Sequence, residues 1–239
     1  MLDQLQQHLR AARDHRSSGA LASTGQRAAV RAFQAARLRT TYSDLLAIPR
    51  YTSAAEFFLT DLYSTADQSL RDMQLERALP KLVRYLPAGT LEPIGLALEM
   101  DALAERLDSA LARQLFGPSE PSEPIAADDY ARAYRASANQ AERAHQIELV
   151  QSIGSTLDRI ARKPGVATAV ALMRGPARAA GFDQLQTFLE RGLAAFKQMK
   201  GADGFLLSVI GRERAINDRL FAAETHPFRL DPRQFRTPV

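Results

Sequence analysis

Apolar residues return every three or four positions along most of this chain, and no segment of useful length alternates with a period of two. Leu96, Met100, Leu103, Leu107 and Leu111 form one such stripe, and Ile147, Val150, Ile153, Leu157 and Ile160 form another. The spacing therefore predicts an all-α fold: an irregular multi-helix bundle of roughly eight to ten helices with no sheet. Neighbouring helices are expected to run antiparallel through short turns. Ala, Leu, Arg, Gln and Glu dominate the composition, and these residues lose little side-chain freedom in a helix.

Prolines and turn residues punctuate the pattern. A first helix carries Leu2, Leu5 and Leu9 and ends near Ser17-Ser18-Gly19. A second runs from about Gln26 to Ala47, where Pro49 stops it. Ser53 followed by Glu56 reads as a capping box at the start of the third. Helices over about 67–86 and from Thr90 to Leu115 follow. Pro118, Pro121 and Pro124, interleaved with Ser and Glu, cannot be helical. The expected organisation is an N-terminal helical half (1–117), a Pro/Ser/Glu linker (118–127), a C-terminal helical half (128–225) and an extended tail (226–239). The halves are expected to pack as one unit. In the second half, Asp128 caps a helical region to Lys163, and residues 165–174, Phe182–Met199 and a stretch to about Glu224 are helical.

Charge follows the same division. Net charge is +4, and 27 of the 31 basic residues are Arg. Residues 1–50 carry +5, residues 51–129 carry −8 and residues 130–239 carry +7. Such a chain neutralises itself on folding, so its basic character argues only weakly for a nucleic-acid partner. Arg27, Arg31, Arg37 and Arg39 on one helix and Arg212, Arg214 and Arg219 on the last are read as solvated faces. A helix–turn–helix turn at Gly201-Ala202-Asp203-Gly204 would lead into Phe205-Leu206-Leu207, which is apolar where a recognition helix is polar.

Candidate chemistry is sparse. The absence of Cys excludes disulfides, thiolate metal sites and a cysteine nucleophile. No phosphate-cradling glycine loop or nucleophile motif occurs. Glu142 and His145 form one E-x-x-H, half of what a di-iron bundle needs. His145 as a haem ligand is the other chemistry open to that residue. Asp128-Asp129 suits a helix start, where acids complement the dipole. No catalytic residue, metal or cofactor is expected. The N-terminus lacks an apolar signal segment and no run is long enough to span a bilayer, so a cytoplasmic protein is expected.

The densest aromatic segment is Phe57-Phe58-Leu59-Thr60-Asp61-Leu62-Tyr63. With Thr41 to Leu46, Arg71-Asp72, Leu86-Pro87, Arg143 to Leu149, Phe188 to Gly192 and Arg212 to Phe221, it resembles a family of uncharacterised proteobacterial proteins with an F-F-L-x-D-L-Y signature. The resemblance covers nearly the whole chain and departs at Ser64, where the family often has Gly. It implies a helical bacterial cytoplasmic protein and transfers no catalytic residue. Three function classes follow. The first is a non-enzymatic module that binds a partner protein or self-associates. The second is a binder of an apolar or haem-type ligand, or an enzyme, with a pocket edged by Phe57, Phe58, Asp61 and Tyr63. The third, weakest, is a nucleic-acid binder.

Overall fold

A computed structural model of the chain describes residues 2–17, 22–62, 73–78, 80 and 88–235. Most of those residues are helical, and none of them lies in a strand. The α-helices are α1 (Leu2–Ser17), α2 (Thr24–Thr41), α3 (Ser43–Leu46), α4 (Thr52–Phe57), α5 (Ala88–Phe116), α6 (Ala127–Ala136), α7 (Gln140–Ala161), α8 (Val166–Leu172), α9 (Arg174–Ala179), α10 (Asp183–Met199) and α11 (Asp203–Phe221). A π-helical turn, Phe58–Leu62, continues α4, and a 3₁₀ turn, Pro232–Phe235, follows α11. No helix among the described residues is long and apolar enough to cross a membrane.

The long helix α5 is the central strut and packs against α1, α2, α6 and α7. α7 in turn lies against α5, α10 and α11. Two large apolar clusters result. One gathers Leu38, Tyr42, Leu45, Phe57 and Phe58 with Phe196, Met199, Phe205 and Val209. The other gathers Val30 and Leu111 with Tyr130, Tyr134, Ile216 and Leu220. Each cluster draws residues from both sides of the Gly117–Pro124 segment.

Several helix boundaries differ from those the sequence suggests. The expected helix from Gln26 to Ala47 breaks at Tyr42 (φ −109°, ψ 15°), and α2 starts two residues earlier than expected. Its cap is Ser23, in extended backbone: Gln26 N–H donates to Ser23 Oγ and Ser23 N–H donates to Gln26 Oε1. The capping box expected at Ser53 and Glu56 does not form. α4 begins two residues earlier, after Tyr51, so Ser53 is already inside the first turn and donates to Gln198 Oε1 instead. Thr52 Oγ1 donates to the carbonyls of Leu46 and Ile48 and ties α4 to the preceding turn.

The expected continuous helix from Asp128 to Lys163 is two helices. Ala138 takes a left-handed conformation (φ 51°) between them, and Asp128 lies in the first turn of α6 rather than capping it. Gly165 (φ 81°) supplies the left-handed turn that starts α8 after Pro164, a conformation that favours glycine. The described part of the tail, 227–235, packs against the bundle. Phe228 meets Phe33 and Tyr130, and Ser208 Oγ donates to the Phe235 carbonyl. These aromatics outweigh the extended preference of the neighbouring prolines.

Candidate functional site

The interior contains a seam of charge. Arg212 on α11 is fully buried. Its Nη1 and Nη2 donate to the two carboxylate oxygens of Asp44 at 2.7 and 2.8 Å, and Nη1 also donates to the Thr41 carbonyl at 2.6 Å. The break at Tyr42 makes this possible. It ends α2 at Thr41 and leaves that carbonyl open to a cation, as at any helix C-terminus. Beside it, the Tyr42 hydroxyl and Arg37 Nη1 both donate to Glu213 Oε1. Burial opposes the charge of Arg37, but its bond and proximity to Glu213 outweigh burial and hold its pKa above the ordinary value.

The seam continues between α2, α5, α6 and α7. Gln34 Nε2 donates to Asp108 Oδ1 and to the Tyr130 hydroxyl, and Tyr134 donates to Asn217 Oδ1 at 2.9 Å. The Arg143 guanidinium lies 4.8 Å from the Tyr134 ring centre. Burial raises the pKa of both Tyr130 and Tyr134, and the neighbouring Arg143 opposes the rise only in part. Both phenols therefore stay protonated through the neutral range.

The singled-out residues that the structure describes do not gather into one site. Phe57 and Phe58 are buried core residues. Phe57 lies 5.2 Å from the Phe188 ring and is seated on Gly192, and Phe58 meets the Tyr42 ring edge-on. Asp61 belongs to the π-helical turn. Tyr63, Arg71 and Asp72 lie outside the described residues. Glu142 and His145 share α7 but take separate partners on α5. Glu142 pairs with Arg106, while His145 Nε2 is 2.8 Å from Glu99 Oε1. No group of three His, Cys, Asp or Glu that could hold a metal occurs among the described residues. Three of the four α2 arginines point inward or into ion pairs. Arg27 donates to the Ala22 carbonyl, Arg31 pairs with Glu105 and Asp108, and Arg37 pairs with Glu213, leaving Arg39 exposed.

Some of the stretches that carried the family resemblance meet in space among the described residues. Thr41 to Asp44 binds Arg212-Glu213, and Phe57-Phe58 packs against the Phe188 to Gly192 stretch and Tyr42. A family model described as "Domain of unknown function (DUF8198)" matches residues 11–227. The chain belongs to this family. The matched span includes the whole charged seam and both large apolar clusters. No curated protein and no solved structure matches the chain.

Two surface features escape sequence reasoning. The first is the corner formed by α8, α9 and α10. α8 reads Val-Ala-Thr-Ala-Val-Ala-Leu, and none of its residues is buried. Leu172 is 73% exposed, and Met173 and Leu189 are also exposed. Gln186 and Glu190, which flank Leu189, bond to the Val170 carbonyl and to Arg174, which ties α10 to α8 and α9 at this corner. Lys163, Arg174 and Arg178 are exposed beside it. The second is an open groove of about 690 Å³ beside the proline segment. It is lined by half-buried Leu115, Phe116 and Ile125 and by exposed Glu120, Glu123 and Asp129. Arg132 also lines it and is paired with Asp129. The apolar run Ala169–Met173 is visible in the sequence, but a helix apolar all round reads as a buried one.

Proposed function

We propose that this is a bacterial cytoplasmic, non-enzymatic helical protein that works by protein–protein contact, self-association included. One observation carries the reading: an apolar helix, α8, without a buried residue, at the head of a corner that exposes Leu172, Met173 and Leu189. Contiguous exposed apolar surface of this kind marks interaction sites. The seam supports the non-enzymatic part. Its arginines are held by carboxylates and carbonyls, and its phenols are pushed away from neutral pH, so neither is poised to exchange protons. The alternative of a small-molecule pocket at the F-F-L helix has less support, because Phe57 and Phe58 are covered by Phe188, Gly192 and Tyr42.

The test places a photo-crosslinking amino acid at position 172 of the full chain in its native cells, with position 152 as the control. Adducts to protein at 172 but not at 152 are expected, and they should vanish when Met173→Glu and Leu189→Glu are added. Equal labelling at both positions sinks the reading. Leu172→Glu should leave stability within about 0.5 kcal/mol of the parent, as surface changes do, so loss of contact cannot be put down to unfolding.

A further inference from the structure

We propose that the basic apolar corner at α8–α9 of one copy seats in the acidic groove beside the proline segment of a second copy. This rests on the preceding reading and names its partner. The two surfaces are complementary in each property that decides docking. One is a convex helix of Val, Ala and Leu side chains with none buried. The other is a concavity lined by Leu115, Phe116 and Ile125. Lys163 and Arg178 stand beside the first, Glu120 and Glu123 beside the second, and all four are exposed. Opposed charges steer such an encounter and fix its register, while the apolar centre supplies affinity.

The two surfaces cannot close on each other within one copy. The groove includes Ala133 and Ala136 of α6, and Ala136 stands four residues before the N-terminus of α7. α8 follows the C-terminus of α7 after four residues. α7 has 22 residues, and at about 1.5 Å per residue it holds the two surfaces roughly 33 Å apart. Contact between unlike surfaces at opposite poles is heterologous, so each association leaves one free corner and one free groove. Growth then continues with concentration, as a chain or a closed ring, instead of stopping at a two-fold dimer.

The absence of Cys from the chain makes the contact directly measurable. Leu172→Cys and Glu123→Cys are prepared separately, mixed, and treated with a short bis-maleimide. The expected main product joins the two variants, with little product from either alone. A Leu172→Cys homodimer without the mixed product overturns the proposal, because it shows corner meeting corner. No cross-link in any mixture overturns it too. Light scattering on the unmodified chain should show mass rising with concentration and falling in high salt. Glu123→Lys should weaken association at least tenfold with an unchanged helical spectrum, and adding Lys163→Glu/Arg178→Glu chains should restore it. A mass that stays constant with concentration refutes self-association. If position 172 still captures a different protein in cells, the broader protein-contact reading survives; if it captures nothing, both fall.

Discussion

Arg212 and Leu172 occupy the places that hydropathy would assign to each other. Arg212 is 0% exposed and Leu172 is 73% exposed. The contrast lies in their partners. Arg212 is matched inside the chain by both oxygens of Asp44 and the Thr41 carbonyl. Without them a buried charge costs several kcal/mol. Leu172 has no such match: burying a leucine side chain is worth about 1.5–3 kcal/mol, and folding leaves that unrealised. The charges of the seam find partners on folding, although Nε of Arg37, Arg143 and Arg212 is left without one, whereas the apolar corner stays uncovered. Function is sought at the second place for that reason, although the first holds the more unusual chemistry.

The contrast is broken most directly at the seam. Asp44→Ala leaves Arg212 buried and unpaired and should cost about 3–5 kcal/mol in urea unfolding. A loss under about 1 kcal/mol would mean that water reaches the guanidinium and that the seam is a surface feature. The double variant Asp44→Leu/Arg212→Met sharpens the point. Replacing a whole buried pair by apolar groups is often neutral, so most of the lost stability should return.

How far the sequence led can be judged from the same residues. The three-and-four spacing located α5, α7, α10 and α11, because a stripe that faces a core is a local property of the chain. The helix breaks at Tyr42 and Ala138 were not legible, since neither position carries Gly or Pro. The Ser53–Glu56 pattern misleads because capping also requires a non-helical backbone at the cap, and Ser53 lies inside α4, which starts at Thr52. Arg212 looked like one of several solvated arginines. Its partner stands 168 residues away, and no local pattern reports such a pairing. Burial of α8 is also decided by its neighbours. The same seven residues would form a core helix if α9 or the 73–78 segment lay across them.

A second, smaller test concerns the F-F-L segment, whose width of apolar residues reads first as core packing and second as a pocket edge, and whose Phe57, Phe58 and Leu59 are buried. A Cβ added at Gly192 would sit 2.8 Å from Phe57 Cζ. The ring is held by Phe188 and has little room to yield. Gly192→Ala gains about 1 kcal/mol in helix propensity but incurs overpacking of roughly 1–3 kcal/mol, so a net loss of about 1 kcal/mol is expected by thermal unfolding. A gain in stability would mean that space exists beside Phe57, and it would revive the pocket at this helix.

The smallest expected effect belongs to His145, and it separates a surface pair from the buried seam. The hydrogen bond to Glu99 raises the imidazole pKa above its ordinary 6.5, and Glu148 adds to the rise while slight burial opposes it. A pKa raised by folding means that the folded chain binds this proton more tightly than the unfolded one. The stabilisation is therefore complete below the unfolded value and is lost as pH rises through the folded value. Half of the side chain is exposed, and solvent screening limits such pairs to about 0.2–1 kcal/mol. Stability should fall by an amount in that range as pH rises from about 5.5 to 8, and His145→Gln should flatten that step. Salt should reduce the step too, because exposed charges are screened. The cost of Asp44→Ala should hardly respond to salt, because Arg212 is shielded from it. If salt changes both equally, the distinction between matched charge inside and uncovered surface outside does not hold.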